Sequence, residues 1–289
     1  MNAVEIKNLE KNYPNFSLKI DELNIPSGVV IGLIGENGAG KTTLIKSLLN
    51  IINKDKGTIK IFGKDTKEKD LDIKEDIGVV LDNSFFPEIL NPRDINKIMK
   101  DIYKNWDKDL FYKYLHDFNI KDNQILKTMS KGMRKKVEIA ASLSHHPKLL
   151  ILDEATSGLD PIVRNDVLDL FLNFIEDEEH TIIMSTHITS DLEHIADYII
   201  FIDKGKVELE ETRDEIFDKY GILKCELDQF EKIDKKDIVT YKKNKYNYDI
   251  LVSDKKACEK KYKNMIIDKI TLEELMLLII KGVKVKWWD

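Results

Sequence analysis

Val29-Val30-Ile31-Gly32-Leu33-Ile34 is a short unbroken apolar run, and Gly35-Glu36-Asn37-Gly38-Ala39-Gly40-Lys41-Thr42 follows it directly. The run lacks the alternation of a half-exposed strand and suits one buried on both faces, as in a parallel sheet. The eight residues after it have the spacing of a phosphate-binding loop. Residues 41–50 behind them read as a helix. In that setting glycines let backbone N–H groups converge on an anion, and the helix N-terminus adds a favourable partial charge. Lys41 is then placed to reach the β- and γ-phosphates of a nucleotide, and the Thr42 hydroxyl to ligate Mg²⁺. Thr43 completes the nucleotide-binding stretch. The same glycines loosely match a dinucleotide-binding motif, but Lys41-Thr42 straight after the last glycine favours a triphosphate.

Working outward, similar apolar runs occur at 77–81, 149–152, 181–184 and 198–202, with helical stretches such as 134–143 and 162–175 between several of them. Strands alternating with helices predict an α/β fold with a mainly parallel sheet. The N-terminal residues alternate instead (Val4 and Ile6; Phe16, Leu18 and Ile20), which reads as β structure exposed on one side. Residues 85–143 read as a helical insertion. The run 149–152 ends in Asp153-Glu154. Charges belong at the exposed carboxyl end of such a strand, where open α/β sheets bind ligands. Asp153 suits Mg²⁺, directly or through water, and Glu154 suits orienting or deprotonating an attacking water. After residue 210 the pattern changes. Short strands are expected within 222–227 and 238–253, turning near Lys243-Asn244. A final helix has Thr271 as N-cap, Glu274 completing a capping box, Ile270 and Leu275 as a staple, and Gly282 at C′.

Composition bounds the function. The chain has 289 residues, a net charge of −6, 42% hydrophobic and 34% charged residues, enough for one large domain, or one plus a small accessory unit. The mild acidity gives no reason to bind nucleic acid. No apolar run approaches the ~20 residues needed to span a bilayer, so a membrane role needs a second protein. No signal peptide is expected at Met1-Asn2-Ala3-Val4-Glu5. Cys225 and Cys258 read as reduced thiols. His145 and His146, before Pro147, read as surface or capping residues, and His194 as lying on the polar side of a helix. No metal-ligand cluster emerges, so Mg²⁺ is expected to arrive with the nucleotide.

Met129-Ser130-Lys131-Gly132-Met133 resembles the signature of ABC ATPases, usually Leu-Ser-Gly-Gly-Gln. Ser130 and Gly132 match, whereas Met129, Lys131 and Met133 depart from it. Ala155-Thr156-Ser157-Gly158-Leu159-Asp160-Pro161 looks like the family's D-loop, and Ser185-Thr186-His187 like its switch histidine. With the phosphate loop and the Asp153-Glu154 strand, the series resembles that family over residues 1–215. The resemblance implies a P-loop ATPase core with a parallel sheet, an antiparallel β subdomain and a helical signature subdomain at about 85–143. It also implies a dimer that sandwiches ATP. Ser130 and Gly132 would contact the γ-phosphate bound by the partner subunit, Asp160 would sit at the dimer seam, His187 would contact the γ-phosphate, and Tyr13 would stack on adenine. Asp82 stands where the family usually has Gln and is carried as a metal candidate, in a site it would also crowd with negative charge.

The chain is also similar to the stand-alone ATPases of bacterial ABC-2 type exporters, including the tail Ile270-Thr271-Leu272-Glu273-Glu274-Leu275. Asp82 with Asn83-Ser84-Phe85-Phe86-Pro87 resembles a Gram-positive branch that includes exporters of phenol-soluble modulins and antimicrobial peptides. That implies a separate transmembrane permease, a place on the cytoplasmic face of the membrane, and an amphipathic peptide or antibiotic as cargo. Phe85, Phe86, Ile89 and Leu90 are candidates for the permease groove, or else for the chain's own helical core. Residues 216–289 form an accessory unit. Its last helix, apolar on nearly every side, is assigned to dimer stabilisation, and Trp287-Trp288 to packing on the same unit. The alternatives are a soluble ABC ATPase acting on ribosomes or DNA, and a regulatory subunit with weak hydrolysis.

Overall fold

The computed structural model describes residues 1–66, 71–82 and 85–284. Asn83, Ser84 and the Trp287-Trp288 pair lie outside the described residues. The chain divides into two compact units, Met1–Leu209 and Glu210–Asp289.

In the first unit, β1 (Asn2–Tyr13) and β2 (Phe16–Pro26) form a hairpin, and β3 (Val30–Ile34) leads through the phosphate loop into α1 (Lys41–Leu48). Next come β4 (Lys56–Ile61), β5 (Lys64–Asp65), α2 (Leu71–Glu75) and β6 (Ile77–Val80). The helices α3 (Pro92–Ile102), α4 (Lys108–Asp117) and α5 (Lys131–Leu143) follow. Then come β7 (Leu149–Asp153), α6 (Pro161–Ile175), β8 (Thr181–Ser185), α7 (Thr189–Ile195), β9 (Tyr198–Asp203) and the hairpin strand β10 (Lys206–Thr212), within which the first unit ends. Strands β2-β1-β4-β5 make an antiparallel sheet, and β10-β9-β3-β8-β7-β6 make the main sheet. The five strands from β9 to β6 pair in parallel.

Every residue of β3, β7 and β8 is buried, which is why their sequences run apolar without alternation. The register places Leu33 opposite Ser185 and Ser185 opposite Asp153. The end of β3, the acid of β7 and the last residue of β8 therefore meet at one sheet edge.

The helices α3 to α5 pack around their own core, which includes Ile95, Phe111, Leu115 and Val137. Phe86 and Leu90 join that core, while Phe85 and Ile89 are exposed at 54% and 78%. The expectation for His145 needs correction. Its ring is buried, stacks on Tyr103 with centroids 3.9 Å apart, and places Nε2 3.1 Å from the Ile77 carbonyl. His146 is the exposed one: it takes a left-handed backbone (φ 56°) and lies 3.4 Å from Asp107. That reversal after α5 turns the two neighbouring rings in different directions.

The second unit contains α8 (Arg213–Lys219), β11 (Gly221–Glu226), β12 (Thr240–Lys243), β13 (Asn247–Val252), α9 (Lys255–Lys261), β14 (Ile266–Lys269), α10 (Leu272–Lys281) and β15 (Val283–Lys284). Its antiparallel sheet has the order β14-β11-β13-β12-β15. Cys225 and Cys258 are buried free thiols in its core, and burial pushes Cys258 up to about 11. The Thr271–Glu274 capping box forms on α10. Gly282 is not the left-handed C′ residue expected: its φ is −70°. A Cβ there would collide with the Leu278 carbonyl and lie 2.7 Å from Thr240 Cβ, so close approach, not handedness, calls for glycine.

Candidate nucleotide site

The phosphate loop wraps onto the N-terminus of α1. Gly40 caps that helix at φ 118°, and a Cβ there would come within 3.0 Å of the Phe16 ring, so the turn needs glycine. A cavity of about 560 Å³ opens in front, within the range of small-ligand sites. Of the expected residues, Tyr13, Asn37, Gly38, Gly40, Lys41, Thr42, Thr43, Asp82, Asp153 and Glu154 line it. Gly35 and Ala39 shape the loop from behind. Asn15, Phe16 and Glu36 line it as well and were not picked out from the sequence. Phe16 begins β2 directly after the turn that carries Tyr13, and its aromatic type beside Tyr13 was the available signal.

Lys41 folds back onto its own loop, with Nζ donating to the carbonyls of Gly35 at 2.6 Å and Glu36 at 3.2 Å. Burial lowers its pKa, opposed by the carboxylates of Glu154 and Asp153. The Thr42 hydroxyl donates to Asp153 Oδ2 at 3.1 Å, and the Ser185 hydroxyl donates to Asp153 Oδ1. Ser185 is a site residue whose role the sequence reading did not find; its place at the end of β8, in register with Asp153, explains it. Thr42 and Asp153 offer hard oxygen donors side by side, which fits Mg²⁺. No cluster of three His, Cys, Asp or Glu that could hold a metal exists among the described residues. Phosphate, water and the further candidate Asp82, which lines the same cavity, would supply the remaining ligands.

Glu154 takes a left-handed backbone (φ 54°), and its N–H donates to the Ser185 carbonyl at 2.9 Å. Its Oε2 lies 2.6 Å from His187 Nδ1, with the Glu154 side chain 17% exposed and that of His187 60%. His187 is not itself among the residues lining the cavity, but a carboxylate that lines it and an imidazole in contact with that carboxylate can together hold and deprotonate a water. Asp82 lies 3.4 Å from Lys131 Nζ. Tyr13 is 43% exposed, with Lys11 Nζ 5.5 Å from its ring centre.

Ser130, Gly132 and Asp160 do not line this cavity. Ser130 caps α5 by accepting from Met133 N, and Asp160 caps α6 by accepting from Val163 N. A Cβ on Gly132 would meet the Gly158 carbonyl at 3.2 Å, so the signature and D-loop segments touch within one chain.

This geometry agrees with what the chain is similar to. Residues 18–157 match the family model described as ABC transporter. The lantibiotic transport ATP-binding protein SrtF of Streptococcus pyogenes is 36% identical over 214 residues, 73% of this chain and 91% of that protein. The chain belongs to the ABC transporter ATP-binding family. It is an ATP-binding, ATP-hydrolysing transporter subunit. The daunorubicin/doxorubicin resistance ATP-binding protein DrrA of Streptomyces peucetius is 34% identical, covering 76% of this chain and 68% of that protein. The solved structure of cbiO1 from Clostridium perfringens, part of the ABC transporter complex cbiONQ, has 27% identity and a TM-score of 0.62. It covers 75% of this ABC subunit and 90% of that chain. An ATP binding subunit of an ABC transporter, at 24% identity and a TM-score of 0.67, shares the fold. No helix among the described residues is long and apolar enough to cross a membrane.

Proposed function

We propose that this subunit energises export of an amphipathic peptide or antibiotic, as a dimer held on the cytoplasmic face of the membrane by a separate membrane-spanning permease. The similarity to a lantibiotic transport ATP-binding protein over 91% of that protein's length carries the cargo class. The exposed Phe85 and Ile89 offer the permease an apolar contact.

Lys41 leaves the Gly35 and Glu36 carbonyls and meets the β- and γ-phosphates, while Tyr13 packs on the base. Thr42 and Asp153 would hold Mg²⁺, with Asp82 the third candidate, and the chemistry it would supply is neutralisation of charge on the phosphates. Glu154 takes the proton of the attacking water, and His187, held against it, steadies that water and the γ-phosphoryl group. Positioning and electrostatics supply most of the rate. Ser130 and Gly132 close over the partner's nucleotide, the α5 N-terminus facing the anion, and Asp160 meets the partner at the seam.

Glu154→Gln keeps the shape and removes the base. ATP turnover should fall by roughly 10²-fold or more, with an ATP-held dimer accumulating in ultracentrifugation. Wild-type turnover in that variant would reject the base assignment. For the transport role, the protein is captured from detergent-solubilised native membranes. A multi-helix membrane protein recovered in near-equal amount supports the reading, and recovery with ribosomes, DNA or nothing overturns it.

A further inference from the structure

Behind the Glu154–His187 contact lies a second tie between the same two segments. Thr156 follows Glu154 by two residues and Asp191 follows His187 by four. The Thr156 hydroxyl donates to Asp191 Oδ2 at 2.7 Å, and both residues are fully buried. The other carboxylate oxygen, Oδ1, lies 3.2 Å from Arg164 Nε on α6. That N–H is not aligned for a hydrogen bond, so the Thr156 bond is the directional one. One carboxylate thus joins the D-loop segment, the first turns of α6 and the helix behind the switch histidine.

Such a carboxylate is costly. Burial pushes its pKa up, and Thr156, Arg164, His187 and His194 only partly offset this. A tie serving stability alone gains little from a buried charge, because apolar packing of similar volume does as well or better. The bond instead has direction, and it sits one step behind the contact between His187 and Glu154, the latter of which lines the cavity.

We propose that Asp191 is a positioning residue: through Thr156 it holds the Glu154 and His187 segments in register, so that carboxylate and imidazole meet. This rests on the water-activating role assigned to Glu154 and His187 above. Asp191 touches no substrate. Loosening it acts through the geometry of the pair and not through the phosphate loop on α1. The effect therefore falls on turnover and spares nucleotide binding.

The test measures kcat, KM, ATP affinity and Tm of the full chain for Asp191→Asn, Thr156→Val and Thr156→Ser, with Glu154→Gln and His187→Ala as references. Asp191→Asn should lower kcat on the order of 100-fold, the size of a displacement of about 1 Å at a reacting centre, with KM and ATP affinity within about twofold. Thr156→Val should reproduce this and Thr156→Ser should restore it. The Asp191→Asn/Thr156→Val and Asp191→Asn/His187→Ala pairs should be no slower than their slower single variants, since residues acting as a unit are not additive. A lowered Tm with normal kcat, a change confined to KM, or additive losses would overturn the proposal. If Asp191→Asn does not fold, the Thr156→Val and Thr156→Ser pair decides alone. Wild-type turnover in Glu154→Gln would also remove the proposal, by removing the pair to be positioned; slow Glu154→Gln with normal Asp191→Asn and Thr156→Val removes the positioning role alone.

Discussion

Asp82 and Lys131 each depart from the family pattern, and they face each other at 3.4 Å, both side chains about half exposed. One α5 turn on, Lys135 Nζ donates to the Leu81 carbonyl at 2.5 Å, and Arg134 lies 2.7 Å from Glu88. The signature helix thus grips the segment around residue 82 through three cations. The extra carboxylate, on the cavity that Asp153 and Glu154 also line, has a partner of its own. An exposed pair contributes only about 0.2–1 kcal/mol, so it biases Asp82 and does not lock it. Lys131→Met should free that carboxylate for the cation and tighten Mg²⁺·ATP binding by up to about fivefold at low salt. The gain should vanish at high salt, where the wild-type pair is screened. Calorimetric titration at two salt concentrations checks both. Weaker binding at either one would mean that Lys131 serves the nucleotide.

At the scale of elements, the buried parallel strands and the phosphate loop were legible because their signals are local. An unbroken apolar run, Gly-rich spacing and a following helix succeed one another directly between residues 29 and 50. The site's acids were legible for the same reason. What bridges distant segments was not: Ser185 on Asp153 spans 32 residues, and Asp191 on Thr156 spans 35. The helical reading at 134–143 began late because Gly132 lowers propensity in the first turn of α5, while Ser130 supplies the cap. His145 was missed because Tyr103 and the Ile77 carbonyl reach it from elsewhere in the chain. Burial lowers the His145 pKa from the ordinary 6.5. The folded state therefore favours the neutral ring, and this stability is complete above pH 6.5. As pH falls below that value the unfolded chain takes up the proton first, and stability drops by at most about 1.4 kcal/mol per pH unit. Denaturant midpoints of wild type and His145→Gln should differ in pH dependence below that point; parallel curves would show that His145 stays unprotonated in both states or protonates equally in both.

For the whole molecule, the open question is what the second unit adds to an ATPase whose residues all lie in the first. Residues 272–280 read as apolar on nearly every side, and the structure divides that surface. Leu272, Leu275 and Leu278 are buried at helical spacing, Met276, Ile279 and Ile280 are half-covered, and Leu277 is 37% exposed. One stripe thus serves the unit's own core, and an apolar remainder stays available to a second copy. In a two-fold interface each substitution counts twice, so even a partly exposed leucine has leverage. Leu277→Glu should keep wild-type Tm, because the buried stripe is untouched, and should weaken nucleotide-free self-association by at least about tenfold, or about 1.4 kcal/mol. Leu275→Glu, in contrast, should unfold the unit. In a Glu154→Gln background with ATP the proposed nucleotide-held dimer should survive Leu277→Glu, since the residues proposed for that contact, Ser130, Gly132 and Asp160, belong to the first unit. Sedimentation equilibrium separates the two kinds of association. An unchanged nucleotide-free association constant in Leu277→Glu would remove the dimer-stabilising role and leave α10 as core packing alone.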